Sequence, residues 1–573
     1  MPYQINSKYC SCCHFCKTEC PVNAIRFKGT KYWIDPEKCI ECGRCAEVCN
    51  SSLITKIGEK EQITPHETVQ LSCDILVAGA GAAGLIAAAK AASEGRKVIL
   101  LEKEKKAGGS CWYAGGYRTW YSKVHKANGI EEDPRPAMLQ DFIAHVGHGT
   151  VDEELLARIF EANGEMVDWI YERGDMKDCF IVGKNPWGQM AVHMMMPYNV
   201  ERPVRIDPTI GPGSMGSSWV LTMLKLCEKF GVKVMTGVGA KKILLDDSGK
   251  VSRVIASDAG GKYEITCDAF VVATGAMTHN DEIIKRFKPE FIDTEGFEPV
   301  HKFTPPGCTG DGIVMCEELG ADMDFVNTRV AMFGPAHHPF PYPGLAITRS
   351  PYGLTVNCEG KTFMGENGMV GAAAALLKQP KHICYMIFDQ NMVEKAVEAN
   401  MQGRGDGNGR GMFGNWRAEL EEEIALGTPV KRADTLEELA VMIGAAPETF
   451  VKTIEEYNES VNNPAPSQEG PAPEGFMGIK LEKLPIKEGP YYAFFQKFFH
   501  ENAVGGMTID KQCHVMKQGI PIPGLFAAGD TCRGIMCAGE VGVDYIESVI
   551  TALTSAVTLG YMAGDEAVKY TAV

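Results

Sequence analysis

The chain has 573 residues, 45% hydrophobic and 23% charged, which suffices for two to four domains with buried cores. Its net charge of −16 argues against a nucleic-acid partner, whose phosphates it would repel. No run of about 18 or more apolar residues marks a membrane span, and the N-terminus lacks the basic start and apolar stretch of a secretory signal. Of the 21 cysteines, nine lie within the first 49 residues; the rest are scattered singly, in the manner of small buried hydrophobes. This usage fits a reducing, cytoplasmic setting.

The first element in the chain is a cysteine repeat. Cys10, Cys13, Cys16 and Cys20 follow C-x2-C-x2-C-x3-C-P, closed by Pro21, and the same spacing recurs at Cys39, Cys42, Cys45 and Cys49. Disulfides do not suit a chain without a secretory signal, and zinc sites usually use two separated pairs. Three closely spaced thiolates with a distant fourth is iron–sulfur spacing. Residues 1–58 resemble bacterial two-cluster ferredoxins. The resemblance implies two [4Fe-4S] clusters with crossed ligation: Cys10, Cys13, Cys16 and Cys49 on one, Cys39, Cys42, Cys45 and Cys20 on the other. Asn50 stands where a second proline would be, and Cys12 is read as packing.

Residues 59–72 are polar, carry no strong period and read as a linker. A β-type run then enters Gly79-Ala-Gly81-Ala82-Ala83-Gly84, an Ala-rich helix follows, and a second strand ends in Glu102-Lys103. In that context G-x-G-x-x-G is a dinucleotide fingerprint: the glycines admit a pyrophosphate, the helix N-terminus stabilises it, and Glu102 is placed to accept ribose hydroxyls. Gly108-Gly109-Ser110 and Gly115-Gly116 come next. An amphipathic helix and strand over residues 219–235 lead to Ala240. The strand at DAFVVATGA carries Thr274 and Gly275, Asp311 opens a helix, and a late strand ends in Gly529-Asp530. A closing helix is read over residues 541–562, beginning at Val541.

In this order, residues 73–565 resemble the fumarate reductase/succinate dehydrogenase flavoprotein family. The resemblance implies bound FAD and a capping domain inserted into the FAD domain. Cys111-Trp-Tyr follows the GGS element where covalent members carry a histidine, so the expected FAD is noncovalent. The expected fold is α/β: a Rossmann-like FAD-binding domain with an inserted α+β capping domain, plus a small N-terminal α+β ferredoxin-like domain. The expected boundaries are 1–58 for the ferredoxin domain, 59–72 for the linker, 73–326 and 498–573 for the two parts of the FAD domain, and 327–497 for the cap.

The dicarboxylate machinery of that family departs here. Thr362 and Val370 stand where two arginines belong, Asn502 where a histidine belongs, and Glu540 where a late arginine belongs. Two carboxylates need cationic, bidentate partners, so fumarate or succinate is not the expected substrate. Candidates for proton donor or substrate contact are Glu540, Tyr352, His337, His338, Glu366 and Asn502, with His500 and Tyr342 also at the expected seam. The aromatic run Trp112, Tyr113, Tyr117, Trp120 and Tyr121 reads first as core packing and second as a wall for a flat substrate. Residues 435–460 read as strongly helical, capped by Thr435.

The expected activity is reduction of an activated C=C bond in a neutral or mono-anionic small molecule, with electrons passing from the clusters to FAD. A redox partner, such as a ferredoxin or an NADH-oxidising subunit, would supply them, and self-association is left open. The rival from another class is an electron-transfer subunit that hands electrons to a protein or quinone. A branch acting on anionic sulfur compounds would need several arginines at the flavin, for which only Arg118, Arg349 and Arg533 are available.

Overall fold

The computed structural model describes residues 2–10, 15–28, 31–59, 62–113, 119–127, 129, 131–143, 152–173, 180–184, 190–194, 215–292, 301–302, 304–329, 332–335, 353–363, 372–399, 416–427, 430–462, 484–500, 503–533 and 552–572.

The cysteine repeat folds as a repeat. The strand Tyr3–Ile5 pairs antiparallel with Ile54–Lys56, and Ile25–Lys28 pairs antiparallel with Lys31–Ile34. Backbone bonds recur at equivalent positions of the two halves: Asn6 N–H donates to Leu53 O at 2.8 Å, and Asp35 N–H donates to Ala24 O at 2.8 Å. Asn23 and Ser52, also equivalent, both take positive φ, 49° and 51°. Ala24 N–H donates to Cys20 Sγ at 3.2 Å and Leu53 N–H to Cys49 Sγ at 3.2 Å. Ala24, Ile25, Tyr32, Ile34 and Ile54 fill a small core of their own beside Cys10, Cys16 and Cys45.

Residues 69–72 correct the linker expectation. Val69–Ser72 is a strand, parallel to Lys262–Thr266, on the edge of a four-stranded sheet with Gly239–Leu245 and Val251–Ser257. The preceding chain is pinned to that sheet's last turn. His66 N–H donates to Gly260 O at 3.1 Å, and His66 Nε2 lies 3.0 Å from Asp258 Oδ1.

The main body is built on a six-stranded sheet in the order Lys233–Thr236, Val98–Glu102, Ile75–Ala78, Ala269–Val272, Ile520–Ala527 and His514–Lys517, parallel except for the last pair. Ile75–Ala78, Val98–Glu102 and Ala269–Val272 are buried at every residue, as expected of parallel strands covered on both faces. The helices Ala82–Ser93 and Ala552–Thr571 pack together through small residues. A Cβ on Gly560 would come within 2.3 Å of Ala83 O, and one on Gly564 within 2.6 Å of Ala87 O. The buried Lys90 ammonium seals this contact by pairing with Asp565 at 2.9 Å.

The inserted unit has its own core, around Val356, Ile387, Phe388, Phe450 and Phe494. Its central strand, Tyr491–His500, is flanked by Ile383–Asp389, Val430–Ala433 and Met332–Pro335. The strongly helical stretch over 435–460 is two helices, Leu436–Ile443 and Pro447–Asn462. Gly444 ends the first at φ 83°, and the following Pro447 sits where a helix can restart. Thr435 and Glu438 form a full capping box.

Candidate active site

The cleft begins where the buried strand Ile75–Ala78 meets the helix Ala82–Ser93. The three glycines of the turn do different work. Gly79 has φ 98°, and a Cβ there would lie 2.2 Å from Ala273 O. A Cβ on Gly84 would lie 1.8 Å from Gly79 O, so this glycine lets helix and strand close up. A Cβ on Gly81 would meet nothing within 4 Å. No protein neighbour requires that glycine; the open space in front of it, at a helix N-terminus, is what a phosphate needs.

Glu102 lies at the end of the adjacent strand and is buried. It accepts from Ala80 N–H at 2.9 Å through one oxygen and from Glu104 N–H at 2.9 Å through the other. Its first task is therefore to tie the glycine turn to the strand end, which leaves each oxygen one lone pair for a ribose hydroxyl. Burial raises its carboxyl, and the two backbone donors oppose that. Lys103 reaches the other way, donating to Asp311 Oδ2 at 2.8 Å and Thr309 Oγ1 at 2.6 Å. Burial alone would raise the Asp311 carboxyl; Lys103 and Thr309 bring it below the usual carboxylate range. The helix Asp311–Glu318 is thereby fixed at the cleft, and Gly312 N–H also donates to Thr274 Oγ1 at 3.0 Å.

The cleft encloses about 990 Å³ including its open mouth. Gly79, Gly81, Ala82, Ala83, Glu102, Lys103, Gly109, Ser110, Ala240, Thr274, Gly275, Asp311, Gly529 and Asp530 all line it, whereas Gly84 lies behind it against Gly79. Lining residues that sequence reading missed include Glu104, Val238, Gly239, Pro305, Gly307, Cys308, Leu553 and Ala556, and Cys111 lines the cleft as well. Cys308 sits 3.3 Å from Ser110 Oγ, and burial pushes its thiol up to about 11. It carries no motif; only its place just before Thr309-Gly310-Asp311 could have flagged it. Leu553 and Ala556 bring the first turn of the closing helix Ala552–Thr571 to the cleft. Gly115, Gly116 and Val541 lie outside the described residues, as do Glu540, Tyr352, His337, His338, Glu366, Asn502, Tyr342 and Val370.

Trp112 and Trp120 of the aromatic run pack as core, and Tyr121 is half-buried. Trp112 Nε1 donates to Ala107 O at 2.8 Å, Trp120 stacks on Phe160 at 4.1 Å, and Tyr121 hydroxyl donates to Glu131 O. Arg533 lies between Asp324 and Asp152, at 3.3 and 3.6 Å. Thr362 is exposed and bridges to Val356. His500 is fully buried; among the described residues neither ring nitrogen has a partner, and burial brings it down to about 3, so it stays neutral.

In the N-terminal unit Cys10, Cys16 and Cys45 are buried, Cys20, Cys39 and Cys49 half-buried, and Cys42 exposed, while Cys13 lies outside the described residues. Burial pushes the Cys45 thiol up to about 11. Among the described residues no three ligating groups converge on one point. That is compatible with an iron–sulfur cluster, whose cysteines each bind a different iron. Two backbone N–H groups already aimed at Cys20 and Cys49 sulfur also suit thiolate ligands.

The sequence family described as FAD binding domain matches residues 74–541. The chain belongs to this family. The family described as 4Fe-4S binding domain matches residues 30–51 of the same flavoprotein. The flavoprotein is 28% identical over 519 residues to the fumarate reductase (cytochrome) of Shewanella frigidimarina, covering 88% of this chain and 78% of that protein. It is 26% identical over 485 residues to the vinyl phenol reductase of Lactiplantibacillus plantarum, covering 81% and 90%. Its fold matches a crystal structure of 3-ketosteroid delta1-dehydrogenase from Sterolibacterium denitrificans with a TM-score of 0.67 at 19% identity, covering 87% and 99%. The flavoprotein is thus a flavin-dependent oxidoreductase of the CH–CH class with an FAD-binding and a 4Fe-4S binding domain. Among the described residues no helix is long and apolar enough to cross a membrane.

Proposed function

We propose that this flavoprotein reduces an activated C=C bond in a neutral or mono-anionic substrate, such as an enone or an aromatic-derived compound. Electrons pass from two [4Fe-4S] clusters to noncovalently held FAD. When bound, FAD exchanges one-electron traffic for hydride chemistry at carbon. Gly81 and the helix behind it would take the pyrophosphate, Glu102 a ribose hydroxyl, and Asp530 and Ser110 the ribityl and flavin end.

The observation that carries the substrate class is the state of the one described arginine considered for an anionic site. Arg533 is matched by two aspartates, which leaves its own charge little free to grip a dianion. The substitutions Thr362, Val370, Asn502 and Glu540 point the same way. None of the described residues lining the cleft is a histidine, in keeping with noncovalent FAD. The proton donor would come from Glu540, Tyr352, His337, His338, Glu366 or Asn502.

The test is analytical and kinetic. Acid-denatured protein passed through a filter releases all its FAD, and the holoprotein carries about eight irons per chain. Glu540→Gln cuts turnover with an enone while FAD stays bound; unchanged turnover removes Glu540 from the site. A flavin that no C=C compound reoxidises would support the rival reading, an electron-transfer subunit serving a protein or quinone.

A further inference from the structure

Among the described residues the N-terminal unit is nearly symmetric in its own bonds, and its contacts with the rest of the chain break that symmetry. Cys20 and Cys49 are equivalent by the repeat. Each sulfur accepts a backbone N–H at 3.2 Å, from Ala24 and Leu53. Each carbonyl accepts another, from Asn23 and Ser52. Beyond this they differ. Lys106 Nζ, from the main body, donates to Cys49 O at 3.0 Å and Glu47 O at 2.6 Å. Among the described residues no lysine bonds the Cys20 carbonyl. Val48, between the two bonded carbonyls, packs against the core of the main body as well as that of its own unit. Lys31 also bonds this end of the unit, donating to Cys10 O at 2.8 Å. Its equivalent in the repeat is another lysine, Lys60, whereas Lys106 comes from outside the unit and has no counterpart in the repeat.

Lys106 stands three residues before Gly109, which lines the nucleotide cleft with Ser110 and Cys111. The contact that holds Cys49 is therefore one short turn from the site of the flavin.

We propose that Lys106 is the positioning residue at the electron exit of the N-terminal unit, holding the cluster ligated through Cys49 against the FAD cleft and making it the easier of the two to reduce. The proposal rests on the two-cluster reading above. A fixed positive charge beside a cluster stabilises its more negative, reduced state, and hydrogen bonding and net charge are the protein's main controls on cluster potential. Electrons would then enter at the cluster nearer the exposed Cys42 and fall toward the flavin.

The experiment is an EPR-monitored redox titration of the full-length holoprotein and its Lys106→Gln, Lys106→Arg and Lys105→Gln variants. Flavin reduction by the prereduced clusters is followed by rapid mixing. In Lys106→Gln one cluster shifts to lower potential, the other does not, and flavin reduction slows about tenfold or more. Lys106→Arg restores most of both, and Lys105→Gln, which removes the same charge from the next residue, does not reproduce the shift of one cluster alone. Two clusters that both titrate as in the unmodified protein in Lys106→Gln, or that shift equally, overturn the proposal and leave the two-cluster reading standing. A holoprotein with a single titrating cluster overturns both. Should Lys106→Gln prove too unstable, Lys106→Met, which keeps the apolar stem and removes the charge, is read by the same outcomes: a shift of one cluster only counts for the proposal, and no shift or an equal shift of both counts against it.

Discussion

At the residue scale the three fingerprint glycines separate folding from binding. Gly81→Ala adds a methyl group that meets no protein atom, so stability stays within about 0.5 kcal/mol. FAD affinity, by contrast, falls at least about tenfold, or about 1.4 kcal/mol. Gly84→Ala drives its Cβ into Gly79 O and costs about 2 kcal/mol or more of stability even without FAD. Thermal denaturation of apoprotein together with flavin titration distinguishes the two; equal destabilisation by both would remove the phosphate role of Gly81. Glu102→Gln puts an NH2 group against one of two backbone donors, so a buried bond is lost and both stability and flavin content fall, the former by about 1–3 kcal/mol. The glycine turn itself was legible in sequence because strand, turn and helix are contiguous there. Lys106 was not: it belongs to no motif, and its partners are backbone carbonyls of a separately folded unit.

At the element scale the strap over residues 62–72 is the clearest case of structure exceeding sequence. Val69–Ser72 is a short strand, and its partner, Lys262–Thr266, lies far along the chain, so no local period could reveal the pairing. Its anchor is sensitive to pH. Hydrogen bonds that His66 donates to Glu67 O and then to Asp258 raise its imidazolium above the usual range, and Asp258 is held down to about 2. A raised histidine contributes stability that is fully present below its unfolded value of about 6.5 and lost as pH rises through the folded value. The aspartate's share is present above its unfolded value of about 4 and lost toward pH 2. His66→Gln therefore lowers Tm near pH 5.5 but not near pH 8.5; a deficit of the same size at both would mean that the charge is irrelevant. Elsewhere a single residue decided the outcome. Gly444 divides the helical stretch of 435–460, where its left-handed φ outweighed the surrounding helix formers. Thr435→Ala removes the capping box and costs about 1 kcal/mol. Gly564→Val overpacks the joint between the helices Ala82–Ser93 and Ala552–Thr571 and costs about 1–3 kcal/mol, readable by denaturant titration.

At the scale of the whole molecule the described residues form three cores, and Cys384 and Phe498 carry the inserted unit's strands into the core of the main body. The N-terminal unit meets the main body at Val48 and Lys106, and it meets the inserted unit through Lys17 and Glu422, 2.8 Å apart. The repeat and the fingerprint made two of these units readable in advance, since each depends on spacing within a short segment. The catalytic edge is harder to read, because its candidates come from Tyr352, Glu366, Asn502 and Glu540, which lie far apart in the chain. What the units are for is settled only by electron flow. The most direct measurement is to reduce the holoprotein anaerobically and follow flavin and cluster absorbance after mixing with an enone, a vinyl aromatic or fumarate. The account predicts flavin reoxidation by an enone or vinyl aromatic, with the clusters oxidised in its wake, and little response to fumarate. Fumarate reoxidising the flavin as fast as the others, or a flavin that reoxidises while the clusters stay reduced, would contradict it.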